Sequence, residues 1–462
     1  MIFILDLGTL QTVVPALTLN LLFCFDDLTG LFMGILILAL TICFYFLVDY
    51  FEFDAHAGSI FILSFLFSQL ALVYFCSFDL FVIFFFWEAI SLVSFFLVQY
   101  WAHRLSSFKA GLKVLVISHI GDIPFFFFFF LLWARFQTTN ILDLMALFSV
   151  SSFEYIVVGP ILMGFNFLGA LFLGGAVFLK SAQFIFYPWL LDAMEAPVPI
   201  SAQLHSSTLV VIGFYLYFRF ATLFFVTPSI GPLFICVGLL TALGASFLGF
   251  FQEDGKRLLA CSTAGQLGYV ITTLGLGFFE EAQLLLIFCC TNKAFTFVWF
   301  GTLMQRFSGL SDFRFISFSP LLSLGEHAGL CAALANFTIF PGAFSWHVKG
   351  LFVKGYALPC YWATALALDL LQLTWLLSSL YMGRLYFGLF LRTLSGGLSG
   401  FFCFPSKFQL SFLPLQSFGG FLSLPFLFVA CLIFIALLWF EGLIGFPHVD
   451  PAWANLEAVG GV

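Results

Sequence analysis

The sequence predicts an all-α, polytopic transmembrane helical bundle of about 12 spans, and three observations predict it. Hydrophobic residues make up 62% of the 462-residue chain and charged residues only 8%, with a mean hydropathy of +1.12, which excludes a soluble domain with a solvated surface. Uncharged runs such as 28–48, 57–78 and 258–279 each reach the roughly 20 residues that a helix needs to cross about 30 Å of hydrocarbon. These runs are continuously apolar, whereas the strands of a membrane barrel alternate polar and apolar with period two.

Taken in order, the spans fall at 28–48, 57–78, 80–102, 113–133, 160–186, 200–222, 231–251, 257–279, 283–305, 325–352, 355–380 and 420–442. The region 385–415 is ambiguous. The links after the third, seventh, ninth and eleventh spans carry Arg104, Lys109, Lys113, Lys256, Arg257, Arg306, Arg314, Arg384 and Arg392. Those on the other side carry Asp49, Glu52, Asp54, Asp79, Asp143, Glu154, Glu280 and Glu281. Such a bias places the basic, odd-numbered ends toward the matrix or cytoplasm. Asp192 and Glu195 also fall on that side, which the rule tolerates because carboxylates contribute little to it. The chain therefore divides into a short N-terminal segment (1–25), a core (26–380) and a C-terminal region (381–462) with one further span and a polar tail.

The first residues lack a basic n-region and include Asp6, and no Arg-rich amphipathic segment follows, so no cleaved leader is expected and the chain is expected to insert where it is made. Its 72 Phe point to a T-rich organelle genome and thus to the mitochondrial inner membrane, a bacterial plasma membrane being the alternative. The 11 Cys are scattered without CxxC or Cys/His ligand spacing, which reads as buried apolar thiols rather than metal ligands or disulfides. No metal site in this chain and no nucleic-acid partner are expected. The net charge of −7 carries little information.

The embedded ionisable residues form a short list. A charge at mid-membrane costs roughly 2.5–3.5 kcal/mol on insertion scales, so such residues usually face a protein interior and serve transport. The stretch KSAQFIFYPWLLDAMEAPVPISAQLHSSTLV holds Lys180, with no charged neighbour between Glu154 and Asp192, and His205, just after Pro197 and Pro199. Glu88 is the only charge in 80–102, and Lys293 the only one between Glu281 and Arg306. His119 and Asp122 lie three apart and so share a helix face.

Plainer roles stand beside the functional ones. Glu88 and Lys180 could form a static ion pair that only fixes packing, since buried pairs add little stability. A lone histidine such as His205 is commonly just hydrogen-bonded, and His119 with Asp122 could be solvated near a helix end. Lys293, the single charge of its span, is hardest to explain statically. Pro341-Gly342 and Gly174-Gly175 point to two discontinuous helices, which in transporters line hydrated cavities and recur in matching inverted repeats.

Four strings then carry a resemblance: WEAISLVSFFLVQYW around Glu88, FKAGLKVLVISHIGD through Asp122, KSAQ with WLLDAMEAPVPISAQLHSSTLV, and DGKRLLACSTAGQLGYV ending at Val270. In collinear order, from about residue 26 to 349, the chain resembles the antiporter-like membrane subunits of respiratory NADH:ubiquinone oxidoreductase, or complex I, in the subunit 5 branch, a class shared with Mrp-type sodium/proton antiporters. The resemblance implies an antiporter-like fold with inverted repeats and discontinuous helices. It implies that Glu88 and Lys180 form the charge pair at the input of a proton channel, that His205 relays protons inward, and that Lys293, matching the family's FFKALLF lysine, is the central carrier. A carboxylate moving toward or away from a lysine changes that lysine's proton affinity, which gives the pair a switching role.

Departures from the family pattern are specific. The family's GFFSKD reads Gly342-Ala343-Phe344-Ser345-Trp346-His347 here, so Trp346 stands where a lysine is expected, and His347 and Lys349 are the candidates for the output. Cys289 replaces a histidine four residues before the central lysine, and His119 replaces the arginine of NRxGD. Only about 25 residues precede the segment resembling the family's third span, so the first two spans are expected to be absent or squeezed into one, and either accessory subunits supply the shortened ends, the lateral helix included, or those parts are lost.

The function implied is proton translocation in the membrane arm, coupled to NADH oxidation and quinone reduction elsewhere in the complex. No GxGxxG opening a strand–helix unit, no Cys cluster and no His pair spaced for haem is present, so FMN, iron–sulfur clusters and ubiquinone belong to partner subunits and this chain holds no cofactor. Expected partners are the other membrane-arm subunits, especially a subunit 4-like homologue, and phospholipids such as cardiolipin. An Mrp-type cation/proton antiporter subunit is the alternative, and a structural subunit that only braces the arm is a third.

Overall fold

The bundle is built on a capped helix start. In the computed structural model, which describes residues 3–11, 18–52, 54–151, 154–158, 161–306, 309–314 and 362–390, Asp26 accepts the Thr29 N–H at 3.0 Å while the Thr29 hydroxyl accepts the Asp26 N–H at 2.8 Å. This reciprocal box satisfies two amides that a helix start leaves unpaired. From it runs α1 (Asp27–Tyr50), behind an antiparallel hairpin of β1 (Phe3–Gln11) and β2 (Thr18–Phe25) in which Phe3 pairs with Phe25 and Gln11 with Thr18.

Two apolar helices follow, α2 (Ala57–Cys76) and α3 (Leu80–Val98), packed on each other. Asp79, fully buried, caps α3 by accepting the Phe81 N–H at 2.9 Å, and its other oxygen accepts the Thr139 hydroxyl at 2.7 Å. Next comes α4 (Leu105–Phe136), whose 32 residues extend about 48 Å, well beyond the hydrocarbon thickness. It packs against α3 on one side and α6 on the other. Between α4 and α6 lie elements that the apolar pattern hides: α5 (Ile141–Val150) and a short hairpin of β3 (Tyr155–Val158) and β4 (Ile161–Gly164).

The fifth expected span, 160–186, is helical only as α6 (Phe165–Lys180), 16 residues long. It runs unbroken through Gly174-Gly175, against the expected interruption. Those glycines serve close packing instead: a Cβ on Gly174 would sit 3.0 Å from the Phe234 ring, and one on Gly175 would sit 3.5 Å from Pro124, the proline inside α4. After Lys180 the chain turns through Ala182 and Ile185, both at positive φ (51° and 76°), then forms α7 (Pro188–Asp192) and a single 3₁₀ turn.

The discontinuity appears in the sixth expected span. The stretch 200–222 is split into α8 (Val198–Ser206) and α9 (Leu209–Arg219) at Ser207-Thr208. Thr208 takes φ −114°, ψ −94°, and its hydroxyl donates to the Gln203 carbonyl at 2.7 Å, closing one of the carbonyls that the break frees. Hydroxyl residues competing with the helical hydrogen bonds account for this break where glycine does not. Past the short α10 (Ala221–Val226), the helices α11 (Gly231–Phe251), α12 (Gly255–Gly275) and α13 (Phe279–Arg306) complete the series, and α14 (Trp362–Phe390) stands further along the chain.

Small residues set the α11–α12 crossing. A Cβ on Gly238 would come within 2.7 Å of the Gly268 carbonyl, and one on Gly231 within 2.8 Å of the Gly275 carbonyl. Backbones meet directly there, the arrangement by which small residues join helices in lipid. Among the described residues six helices are long and apolar enough to cross a membrane: α1 to α4, Pro228–Phe251 and Phe279–Gln305. The 21-residue α12 is long enough but buries Ser262, Thr263, Thr272 and Thr273, so its neighbours are protein. Expected spans 325–352 and 420–442, and with them Pro341-Gly342, lie outside the described residues.

The chain forms two compact units, Met1–Ala245 with Thr263–Val298, and Ser246–Ser262 with Trp299–Val462. In the second, Arg314 pairs with Glu253 at 2.7 Å and Asp312 at 2.6 Å, and Arg384 donates to the Phe250 carbonyl beneath the Phe313 ring. Every ionisable candidate that the structure describes lies in the first.

Candidate functional site

Trp87 and Ser91, one turn apart on α3, make the floor of a polar cluster inside the first unit. The Trp87 indole donates to Asp122 Oδ1 on α4 at 2.6 Å. Ser91 donates to the Trp87 carbonyl at 2.9 Å and accepts from the Lys180 ammonium at 3.0 Å. Lys180 stands 3.7 Å from Asp122 Oδ1 and 4.9 Å above the Trp87 ring. On the other side of the same carboxylate, His119 Nδ1 is 3.1 Å from Asp122 Oδ2 and 3.4 Å from Glu88 Oε2.

Burial grades across the cluster. Side-chain exposure is 43% at His119 and 27% at Glu88, but 7% at Asp122 and 3% at Lys180. The cluster therefore opens at the histidine and closes at the lysine. A buried cation of this kind needs compensation, and it receives three forms: a carboxylate, an aromatic face and the C-terminal end of its own helix, since Lys180 is the last residue of α6.

Glycine brings the parts together. A Cβ on Gly121 would lie 2.9 Å from Leu179 Cβ, so only a bare backbone lets α4 approach α6 closely enough for the adjacent Asp122 and Lys180 to meet. On the far side of Lys180, a Cβ on Gly213 of α9 would lie 3.3 Å from the Val177 carbonyl and 3.5 Å from Lys180 Cβ. Both glycines serve a helix–helix crossing next to an ionisable residue.

The expected Glu88–Lys180 ion pair is not what the structure shows. Asp122 takes the lysine, and Glu88 faces the outer side of Asp122 across His119. The reason is position: Trp87 fixes one oxygen of Asp122 toward Lys180, while Glu88, one residue on, projects about 100° further round α3. The plainer alternative for His119 and Asp122, solvation near a helix end, does not hold: both sit in the middle of α4, with Asp122 buried.

His205, on the last turn of α8, is not in this cluster. It is 3% exposed, and its ring lies between Trp189 and Phe297 with centroids 6.2 and 6.4 Å away. Neither ring nitrogen has a hydrogen-bond partner, and the hydroxyls of Ser206 and Ser207 beside it have none either. Three polar side chains thus converge on the α8–α9 break without protein partners. Lys293, fully buried, lies one turn before Phe297 on α13. Cys289, where the family pattern gives histidine, contacts Gln266 Oε1 on α12 at 3.0 Å. His347, Lys349 and Trp346 lie outside the described residues.

Three contributors escaped sequence reasoning. Trp87, Ser91 and Gln266 are neutral, and a search for embedded charge passes over them; their signal is spacing one turn from a charge or on the same face. A fourth, Arg219, is a charge inside the expected span 200–222 that the list of embedded residues left out. It is 3% exposed, is paired with Asp26 at the start of α1, and lies 4.6 Å from the Phe78 ring.

Residues 77–335 match the family model described as NADH:quinone oxidoreductase/Mrp antiporter, TM. Among curated proteins, the chain is similar to NADH-ubiquinone oxidoreductase chain 5 of Chondrus crispus, 29% identical over 70% of this chain and 49% of that one. It is likewise similar to the chain 5 of Ceratotherium simum, 33% identical over 65% and 47%. Among solved structures, it superposes on a chain of the Mrp complex from a Dietzia species with a TM-score of 0.72 at 26% identity, covering 86% of this chain and 43% of that one. The chain spans about half the length of the curated relatives it matches.

Proposed function

Since the chain belongs to the NADH:quinone oxidoreductase/Mrp antiporter transmembrane family, we propose that it is a proton-translocating membrane-arm subunit of NADH:ubiquinone oxidoreductase, multi-pass in the mitochondrial inner membrane. It performs no redox step. Flavin, iron–sulfur and quinone chemistry lies in partner subunits, among them a subunit 4-like neighbour, with cardiolipin-type lipid around the arm.

The observation that carries this reading is Lys180 held by a carboxylate with two faces. Asp122 offers Oδ1 to Lys180 and Oδ2 to His119, and Glu88 stands on the histidine's side. When negative charge leans inward, the ammonium form of Lys180 is favoured. When it leans out toward His119, the lysine is left as an uncompensated buried cation and gives up its proton inward. The unpartnered ring of His205 and the hydroxyls of Ser206 and Ser207 form the next polar stop, and Lys293 follows on α13. Moving one proton against 100 mV requires about 2.3 kcal/mol, a quantity that the change in one close ion pair at low dielectric is large enough to transmit from the redox reaction in the partner subunits. The output residue lies beyond Lys293, with His347 and Lys349 as the candidates.

A second reading is favoured by one observation, the likeness to the Mrp complex: this chain as a subunit of a cation/proton antiporter. Purification under mild detergent, mass spectrometry of the co-purifying chains and an NADH oxidation assay separate the two. Flavin and iron–sulfur subunits with NADH-driven quinone reduction support the first. Small antiporter subunits without NADH activity would replace it with the second.

A further inference from the structure

Glu88, His119 and Asp122 each present a ligand atom, and those atoms all lie within 4.8 Å of one another. We propose that this triad is a divalent transition-metal site, with Zn²⁺ as the ion it fits best. Zinc bonds to imidazole nitrogen and carboxylate oxygen at about 2.0–2.1 Å, and a tetrahedron of that size has edges of about 3.3 Å. His119 Nδ1 stands 3.1 Å from Asp122 Oδ2 and 3.4 Å from Glu88 Oε2. Two edges of a zinc tetrahedron are thus laid out, and the third, between the two carboxylates, is no longer than 4.8 Å.

The donor set discriminates between ions. One nitrogen and two carboxylate oxygens suit Zn²⁺, whereas Na⁺, Mg²⁺ and Ca²⁺ prefer oxygen alone. Two carboxylates facing each other across an imidazole also leave negative charge that one lysine offsets only in part. Lys180 lies on the opposite oxygen of Asp122, Oδ1, so the ion and the ammonium address different atoms. Of the three ligands His119 is the least covered by this chain, at 43% exposure, and Asp122 is the most buried.

A bound ion fixes Asp122 Oδ2 and Glu88 outward. Resting on the proton-input role proposed for these carboxylates, it therefore blocks their movement toward Lys180 and inhibits pumping. The residue that makes the site is His119. The arginine that the family pattern places there has no lone pair to give a metal.

The test uses the purified complex in lipid vesicles with Zn²⁺ as the probe. Zinc retained after dialysis and the zinc K-edge absorption spectrum are compared in wild type, His119→Arg and His119→Gln. We expect wild type to retain one more Zn²⁺ than either variant, in a nitrogen/oxygen shell near 2.0 Å. Pumping in wild type is expected to be at least tenfold more sensitive to Zn²⁺ than in His119→Arg. Equal stoichiometry and spectra in all three proteins would overturn the site. Loss of the ion in both variants, with wild-type pumping indifferent to bound Zn²⁺, would keep the site and sink the input role of Glu88 and Asp122.

Discussion

Replacing Asp122 by Asn tests which carboxylate serves Lys180. The substitution keeps the side-chain shape and an oxygen that can still accept from the Trp87 indole, and it removes one charge. At the observed 3.7 Å, with an effective dielectric of about 20, that charge stabilises the ammonium by about 4.5 kcal/mol. Divided by 1.36 kcal/mol per factor of ten, the population of charged Lys180 relative to neutral Lys180 falls by roughly 10³. The close ion pair of Lys180 is with Asp122, while Glu88 acts on the lysine from further off and is 27% exposed, so Glu88→Gln is expected to have a smaller effect. The assay is NADH-driven proton uptake into vesicles holding the assembled complex, with NADH oxidation measured in parallel. Asp122→Asn should lower protons pumped per NADH by this subunit's share, and Glu88→Gln should lower it less. Normal pumping in Asp122→Asn, with a severe defect in Glu88→Gln, would refute the assignment of Asp122 as the partner of Lys180.

Further outcomes follow from other contacts. Lys293→Met, which keeps length while removing a charge from a fully buried position, should leave the complex assembled and abolish this subunit's pumping; an unchanged proton-to-electron ratio would remove Lys293 from the path. In Gly121→Val the added carbons run into Leu179, whose Cβ lies only 2.9 Å from where a Cβ at position 121 must stand. Overpacking there should destabilise by about 1–3 kcal/mol and displace Lys180, read as lower thermal stability of the complex and weaker pumping. Asp26→Asn leaves Arg219 buried without its carboxylate and should destabilise by about 3–5 kcal/mol, read by thermal denaturation. Burial pushes the Asp26 carboxyl up, but the Arg219 guanidinium and the Thr29 donors outweigh it and hold it below its ordinary value. Its contribution is therefore present above the usual carboxylate range and lost as pH falls through the lowered folded value; Asp26→Asn should flatten that acid-side loss.

Helix existence was legible wherever lipid sets the rule, because a run of about 20 uncharged residues has few other uses. The runs 28–48, 57–78 and 231–251 became α1, α2 and α11, with boundaries that agree to within about two residues. Legibility failed where protein rather than lipid surrounds the chain. The stretches 160–186 and 200–222 are as apolar as true spans, yet they fold as a 16-residue helix and a broken pair. Inside a bundle, freed backbone groups can be satisfied by neighbours, so hydropathy no longer dictates continuity. The glycine pair that promised a break packs against Phe234 and Pro124 instead, since glycine in a helix relieves crowding as readily as it ends the helix.

For the candidate site, charge in an apolar run identified Glu88, Asp122, His119, Lys180, His205 and Lys293, but not which of them meet. Pairing depends on rotation about each helix axis and on how closely two backbones approach. Both are decided by residues without charge: Trp87 orients Asp122, Ser91 anchors Lys180, and Gly121 lets α4 and α6 close together. From this follows a constraint on how the site can change. Exchanging Glu88 or His119 alters groups at the open end, where exposure of 27% and 43% leaves room to adapt. Exchanging Trp87 or Gly121 displaces the carboxylate itself relative to a 3.7 Å ion pair, and opening that pair to about 5 Å at an effective dielectric of about 20 removes roughly 1 kcal/mol of the attraction. The neutral residues around Lys180 therefore tune a pairing that the charged ones provide.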